Sequence, residues 1–287
     1  MQYLNDPVSL DPDFYYSRQN TDPRETLKFI SDDYVMLDVD DLSIIPDTVQ
    51  EYLKTHNKFI LCDDDLQYLY ELDPQILHNM SHLVYSGSEL YEYIDDFKQL
   101  KYLELSEIEN IDKIINNLPF GLEALVITVW RLADLSINNL PITLKYLYIH
   151  SCINYDMLPI NLEVLVIASE NSDESHLLDN LPPNLKILLI MCEKINYSLT
   201  NLPASLEYLA VVSNSCHNQV KYTQLLTNLP SDLQYCILDH NMYYANKDSI
   251  LATNPNCIVS NDLNMSKQYN ITKLFRVTVE PDQLDTP

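Results

Sequence analysis

The sequence predicts an α/β solenoid: a right-handed superhelix with one parallel sheet on its concave side and short helical or irregular segments on its convex side. Three observations predict it. The dipeptide Leu-Pro recurs along the middle of the chain, each copy is followed by the same apolar frame, and one polar position of that frame alternates in charge from copy to copy. Self-similarity at a fixed short period means stacked repeats, because one coil cannot bury its own apolar walls.

The Leu of Leu-Pro falls at Leu118, Leu140, Leu158, Leu181, Leu202 and Leu229, spaced by 22, 18, 23, 21 and 27 residues, and five copies are preceded by Asn. With that Leu counted as zero, apolar residues fall at +4, +7 and +9: Leu122, Leu125 and Ile127 in the first copy, Leu144, Leu147 and Ile149 in the second. The same frame gives Leu162, Leu165, Ile167; Leu185, Leu188, Ile190; Leu206, Leu209, Val211; and Leu233, Cys236, Leu238. Positions +7 and +9 share one face of a short strand, while +4 turns inward just before it. Proline at +1 is tolerated because the strand has not begun and no ladder donor is lost. A second wall comes from Ile115, Ile137, Leu178, Leu199 and Leu226, three residues before five of the six Leu-Pro steps.

Without Leu-Pro the frame continues toward the N-terminus through Leu100, Leu103 and Leu105, then Met80, Leu83 and Tyr85, then Phe59 and Leu61, and more loosely Tyr34, Leu37 and Val39. Toward the C-terminus, Cys257 to Val259 and the alternating stretch Lys273 to Val279 complete it. The expected organisation is therefore an N-terminal cap or loose segment over residues 1–33, a solenoid over 34–279 that is clearest at 97–241, and a disordered tail at 280–287.

L-x-x-L-x-[LI] at this period resembles the leucine-rich repeat. Leu202-Pro203-Ala204-Ser205-Leu206 and Leu181-Pro182-Pro183-Asn184-Leu185 are similar to the core of the FNIP-type repeat of social amoebae and amoeba-infecting giant viruses. Ile195-Asn196-Tyr197-Ser198-Leu199 and Ile153-Asn154-Tyr155-Asp156-Met157 are similar to the block that names that type, but lack its proline. Leu-Pro before each strand also resembles the short repeats of bacterial effectors. The resemblance implies a host-directed adaptor that binds proteins, although no F-box is visible in residues 1–33.

Composition excludes several function classes. Gly87 and Gly121 are the only glycines, so glycine-rich phosphate loops, dinucleotide fingerprints and G-x-S-x-G elbows are absent. The net charge of −25 repels phosphate backbones and anionic headgroups, so neither nucleic acid nor a membrane is expected as partner. Residues 1–112 hold 25 acidic and 7 basic side chains, which concentrates the acidic field in the N-terminal half. No signal-like start, no long apolar run and six scattered cysteines without a C-x-x-C pair point to a cytoplasmic chain with free thiols, in host cytoplasm or a virion if viral.

Equivalent offsets of stacked coils form rows. Position +5 reads Lys101, Glu123, Lys145, Glu163, Lys186, Glu207, Gln234, which sets opposite charges on neighbouring strands. Position +6 reads Tyr102, Ala124, Tyr146, Val164, Ile187, Tyr208, Tyr235, and position +8 reads Glu104, Val126, Tyr148, Val166, Leu189, Ala210, Ile237. These last two rows should form the open face of the sheet, an apolar and tyrosine-rich surface larger than monomers usually expose. Tyr102, Tyr146, Tyr148, Val164, Val166, Ile187, Leu189, Tyr208 and Tyr235 are therefore the expected contact residues, for a protein partner, a folded-back terminal segment or a second copy.

No catalytic constellation and no cofactor are expected. Asp40 and Asp41 with Asp63, Asp64 and Asp65 one coil later could offer oxygens to a hard cation, but no Asp/Gly-patterned loop accompanies them. His150, Cys152 and Cys192 lack a fourth convergent ligand for zinc, and neighbouring Cys216 and His217 lack an orienting carboxylate. The leading expectation is a non-enzymatic interaction protein whose acidic half steers basic partners. Structural self-assembly through the sheet, and acidic mimicry of nucleic acid, are the alternatives.

Overall fold

In a computed structural model of the chain, residues 27–261 form one compact unit. The described residues are 27–31, 34–37 and 47–261, apart from 107, 109, 129–134, 137–138, 151–152, 155–156, 170–177, 179, 193–198, 200, 213–224 and 227. Side chains are described from Gln50 onward, except at 62–64, 135–136, 153–154, 169 and 192. The expected segments at 1–26, 273–279 and 280–287 lie outside these residues.

Twelve strands make one open sheet. Strand β1 (Leu27–Ser31) runs antiparallel to β2 (Tyr34–Leu37) at one edge. From β2 onward every pairing is parallel, in the order β3 (Lys58–Cys62), β4 (His82–Ser86), β5 (Tyr102–Ser106), β6 (Ala124–Thr128), β8 (Tyr146–His150), β10 (Val164–Ser169), β11 (Ile187–Cys192), β12 (Tyr208–Val212), β13 (Tyr235–Leu238) and β14 (Ile258–Ser260). Two short strands, β7 (Leu135–Ser136) and β9 (Ile153–Asn154), pair in a second ladder. A one-layer parallel sheet whose strands follow sequence order, one per coil, is the leucine-rich-repeat solenoid.

The register follows the Leu-Pro frame. Position +6 of each coil lies opposite +6 of the next: Tyr102 pairs with Ala124, Ala124 with Tyr146, Tyr146 with Val164, Val164 with Ile187, and so on to Tyr235. The frame slips only at the N-terminal edge. Val35 pairs with Phe59, so Val35 and Leu37, rather than Leu37 and Val39, occupy +7 and +9. Within the segment expected as an N-terminal cap or loose segment, Leu27–Ser31 adds the antiparallel strand β1.

Each Leu-Pro step is a β-turn. The carbonyl of Pro119, Pro141, Pro159, Pro182, Pro203 and Pro230 accepts from the +4 amide at 3.0 to 3.2 Å, which swings that leucine into the core. Proline at +1 costs nothing here, because its carbonyl is the group used. The +5 carbonyl then accepts from both the +5 and +6 amides of the following coil, as Glu123 does from Lys145 and Tyr146 at 2.8 and 3.1 Å.

From the coil of Met80 to that of Leu233 the core holds +4, +7 and +9, closed by Ile115, Leu178, Leu199 and Leu226. Each fully buried leucine stabilises the stack by roughly 1.5 to 3 kcal/mol. Helices cover the core in the first coils: α1 (Asp47–Thr55), α2 (Asp63–Leu72), α3 (Pro74–Asn79), α4 (Leu90–Tyr93) and α5 (Ile111–Ile115). Pro74 opens α3 behind Asp73, whose carboxylate caps the Gln75 amide at 2.9 Å. At the other end α6 (His240–Thr253) lays Met242, Asn246 and Ile250 over the last strands. Buried Asn246 accepts from the Leu226 amide at 2.7 Å and donates to the Met242 carbonyl at 2.8 Å, so its burial leaves both functional groups paired.

Candidate functional site

The candidate surface is the sheet face opposite the core, built by positions +6 and +8. Parallel register places Tyr102, Tyr146, Val164, Ile187, Tyr208 and Tyr235 in one row, and Tyr148, Val166 and Leu189 in the next. Most of this face is buried, in keeping with the expectation that a surface so apolar does not stay bare. Tyr102, Tyr146, Tyr148, Val164, Val166, Leu189 and Tyr208 are buried, with the tyrosines only 4 to 6% exposed, while Ile187 and Tyr235 keep partial exposure. Alternation along a strand tells which side chains share a face. It does not tell how much of that face water reaches.

Enclosure changes the chemistry of the polar tips. The Tyr146 and Tyr208 hydroxyls are buried without a hydrogen-bond partner among the described residues, a state few native polar groups adopt. Burial pushes all three phenols Tyr146, Tyr148 and Tyr208 above the ordinary tyrosine range, and the Glu104 carboxylate adds to this at Tyr146 and Tyr148. Tyr208 and Tyr235 rings lie 6.0 Å apart on neighbouring strands.

Glu104 is the group that sequence reasoning recorded in the row and passed over. It is 8% exposed, and Tyr102 donates its hydroxyl to Glu104 Oε2 at 2.6 Å. Burial pushes its carboxyl up to about 7, against the lowering effect of the Tyr102 bond. His82, also buried, stacks on Tyr102 from the preceding strand with ring centroids 5.8 Å apart. Small Ala124 and Val126 on the intervening strand let Tyr146 and Tyr148 approach Glu104 closely enough to feel its charge. The signal was there: Glu104 is the single ionisable residue in a row of apolar and tyrosine side chains.

At the start of the strands a second, polar strip runs along the coils. Glu123 lies 3.3 Å from Lys101 and 2.8 Å from Lys145, and Lys186 lies 2.8 Å from Glu163, which is the alternation seen in the +5 row. Burial works against ionised Glu123, but the two ammonium groups more than offset it and hold the carboxyl below its usual range. Beside this row, position +3 staples each of four successive coils to the one before. Thr143 Oγ1 donates to the Phe120 and Leu122 carbonyls at 2.7 Å, Asn161 Nδ2 to Ile142 at 3.0 Å, Asn184 Nδ2 to Ile160 at 3.0 Å, and Ser205 Oγ to Leu185 at 2.7 Å. The two rows line a groove of ≈ 510 Å³ from Glu123 to Ser205. The staple explains the Thr, Asn, Asn and Ser that follow four successive Leu-Pro-x steps, which sequence spacing alone left without a role.

Of the candidates for metal or nucleophile chemistry, only some lie among the described residues. Asp63, Asp64 and Asp65 lie in the first turn of helix α2 instead of in a loop, and Asp40 and Asp41 lie outside the described residues. His150 pairs across with Ala168, while Cys152, Cys216 and His217 lie outside the described residues and only the backbone of Cys192 is described. Among the described residues no three His, Cys, Asp or Glu groups converge as metal ligands. Cys236 and Cys257 are free and buried, and burial raises both thiols, Cys257 to about 11. Thiols held protonated in this way are inert. No helix among the described residues is long and apolar enough to cross a membrane.

No protein-family model and no curated protein matches the chain. Among solved structures, an internalin of Listeria monocytogenes superposes with a TM-score of 0.42 and 17% identity, covering 85% of this chain and 72% of that one. With a superposition that weak, the fold assignment stands on the strand order and register, which place this chain among leucine-rich-repeat solenoids by architecture.

Proposed function

We propose that the chain is a non-enzymatic protein-interaction module whose partner completes the sheet face around Tyr102, Tyr146, Tyr148, Val164, Val166, Ile187, Leu189, Tyr208 and Tyr235. The observation that carries this reading is the pair of buried hydroxyls on Tyr146 and Tyr208 that have no partner among the described residues. A buried hydroxyl left unpaired costs about 1 to 3 kcal/mol. A second chain supplies the missing donors or acceptors only by opening this face, so binding should expose Tyr146 and Tyr208. Ile187 and Tyr235, partly exposed in the same row, are the points of first contact.

The partner's chemistry follows from Glu104 and from the net charge of −25. A lysine or arginine brought to this face would restore the charged carboxylate and accept the acidic field as steering. The resemblance to host-directed repeat proteins agrees with this class of function.

The test compares capture of cytosolic proteins by the immobilised full chain and by Tyr146→Phe/Tyr208→Phe. Loss of a captured basic protein by a variant that remains folded supports the reading. Equal capture by both chains refutes it, because the rings persist and only the hydroxyls have gone.

A further inference from the structure

The turns that begin each coil carry a surface of their own. Position +2 is the outer corner of the Leu-Pro turn, and in successive coils it is Phe120, Ile142, Ile160, Pro183 and Ala204. Phe120 is 78% exposed, Ile142 52% and Ile160 53%, and Pro183 and Ala204 are exposed as well. Single exposed hydrophobic residues are ordinary. Five apolar corners in consecutive coils, the first three of them large, form a continuous ridge.

The ridge is rigid. Its backbone is held from below by the Pro carbonyl to +4 amide bonds, and from the side by the +3 staples, which end on the carbonyls of Phe120, Ile142 and Ile160 themselves. The corner side chains therefore cannot turn inward without breaking bonds between coils. A preordered apolar array of this kind loses little freedom on association.

From this ridge we infer that two copies of the chain associate edge to edge, antiparallel, about a two-fold axis lying between the coils of Ile142 and Ile160. The flanking +5 row requires an axis midway between two coils, and the sizes of the corner residues choose which two. Because Glu123, Lys145, Glu163 and Lys186 alternate in sign, a two-fold passing midway between adjacent coils sets Lys145 opposite Glu163 of the second copy and Glu123 opposite its Lys186. An axis passing through a coil would instead oppose like charges along the whole row. The same midway axis packs Ile142 against Ile160 and Phe120 against the smaller Pro183. A two-fold contact needs a self-complementary patch, and size and charge both meet that requirement here in one register.

The ridge and its flanking row span a few hundred Å², less than the roughly 800 Å² per partner of a tight complex. Association is accordingly reversible, with a dissociation constant on the order of tens of micromolar. Sedimentation of the full chain from 1 to 300 μM, approximate limits chosen to bracket that range, should pass from monomer to dimer. Ile142→Asp/Ile160→Asp should sediment as monomer throughout with an unchanged thermal midpoint, since both side chains are more than half exposed. For the register, oxidising a mixture of Ile142→Cys and Ile160→Cys chains should give a covalent dimer well above that of either chain alone or of the parent. A parent chain that stays monomeric overturns the inference, as does a dimer that survives the double Asp substitution. Crosslinking of Ile142→Cys to itself in preference to the mixture overturns the axis.

Discussion

Tyr102 and Glu104 stand two residues apart on one strand, on the face turned away from the core, and share a 2.6 Å hydrogen bond in an environment that excludes water. One donor does not compensate a carboxylate for the loss of its hydration, so Glu104 holds its proton to about pH 7. The consequence is a pH dependence opposite to that of a salt-bridged acid. The folded chain binds this proton between about pH 4.5 and 7 and the unfolded chain does not, so stability is lost as pH rises through that window. Glu104→Gln keeps an acceptor for Tyr102 and removes the charge. It should stabilise the chain by up to about 3 kcal/mol at pH 8 and change little at pH 4. Urea unfolding at both pH values measures the difference, and an equal effect at the two would remove Glu104 from this account.

Tyr146 and Tyr208 bury hydroxyls that bond to nothing among the described residues. Replacing either by Phe leaves the ring and removes the cost, so each change should raise stability by about 1 kcal/mol. A gain from deleting a polar group is unusual in a core and is measured by the shift of the urea midpoint. A loss of similar size would mean that these hydroxyls are satisfied in solution.

The +3 staples predict stability lost without loss of apolar contact. Asn161→Ala and Asn184→Ala each remove one bond to the preceding coil and should cost about 1 kcal/mol. As Asn161 and Asn184 sit in adjacent coils, the double change should exceed the sum if propagation between coils is cooperative. Thermal unfolding followed by circular dichroism reads both effects.

Leu147 is fully buried at +7, between Leu125 and Leu165 of the flanking strands. Leu147→Ala should cost roughly 2 to 5 kcal/mol through the cavity left behind. Leu147→Asp should abolish folding of the central coils, because the carboxylate would have neither water nor a counter-ion there. Hydrogen exchange resolved along the chain distinguishes local opening at coils 118–190 from a global shift.

Lys101, Glu123 and Lys145 form a three-membered charge row across adjacent coils. Glu123→Lys would place three ammonium groups side by side. The expected penalty is on the order of 1 kcal/mol at low salt, and it should shrink as ionic strength rises. A penalty that salt leaves unchanged would point to packing, not charge, as the role of this row.

How much of this was legible in advance divides along a physical line. The coil frame, the parallel order, the register from Tyr102 to Tyr235 and the pairing of opposite charges at +5 were all readable, because each depends on a local offset that repeats. At the N-terminal edge the same reading slipped by two residues, from Val35 and Leu37 to Leu37 and Val39, since no Leu-Pro marks the turn there and a shift of two keeps the same face inward. The helices of the first coils were equally hidden, their apolar residues serving both as repeat frame and as helix face.

Within the chain, sequence by itself determined which side chains stand in a row. It could do so because strand alternation and a recurring turn act over a few residues. Only the tertiary structure decided what each row meets: that Tyr146 and Tyr148 are enclosed, that Glu104 sits dry among them, that Asn161 reaches the Ile142 carbonyl 19 residues back, and that Phe120, Ile142 and Ile160 are left in water. Solvation and long-range bonding depend on everything packed around a position, and that is a property of the assembled stack, not of any single coil.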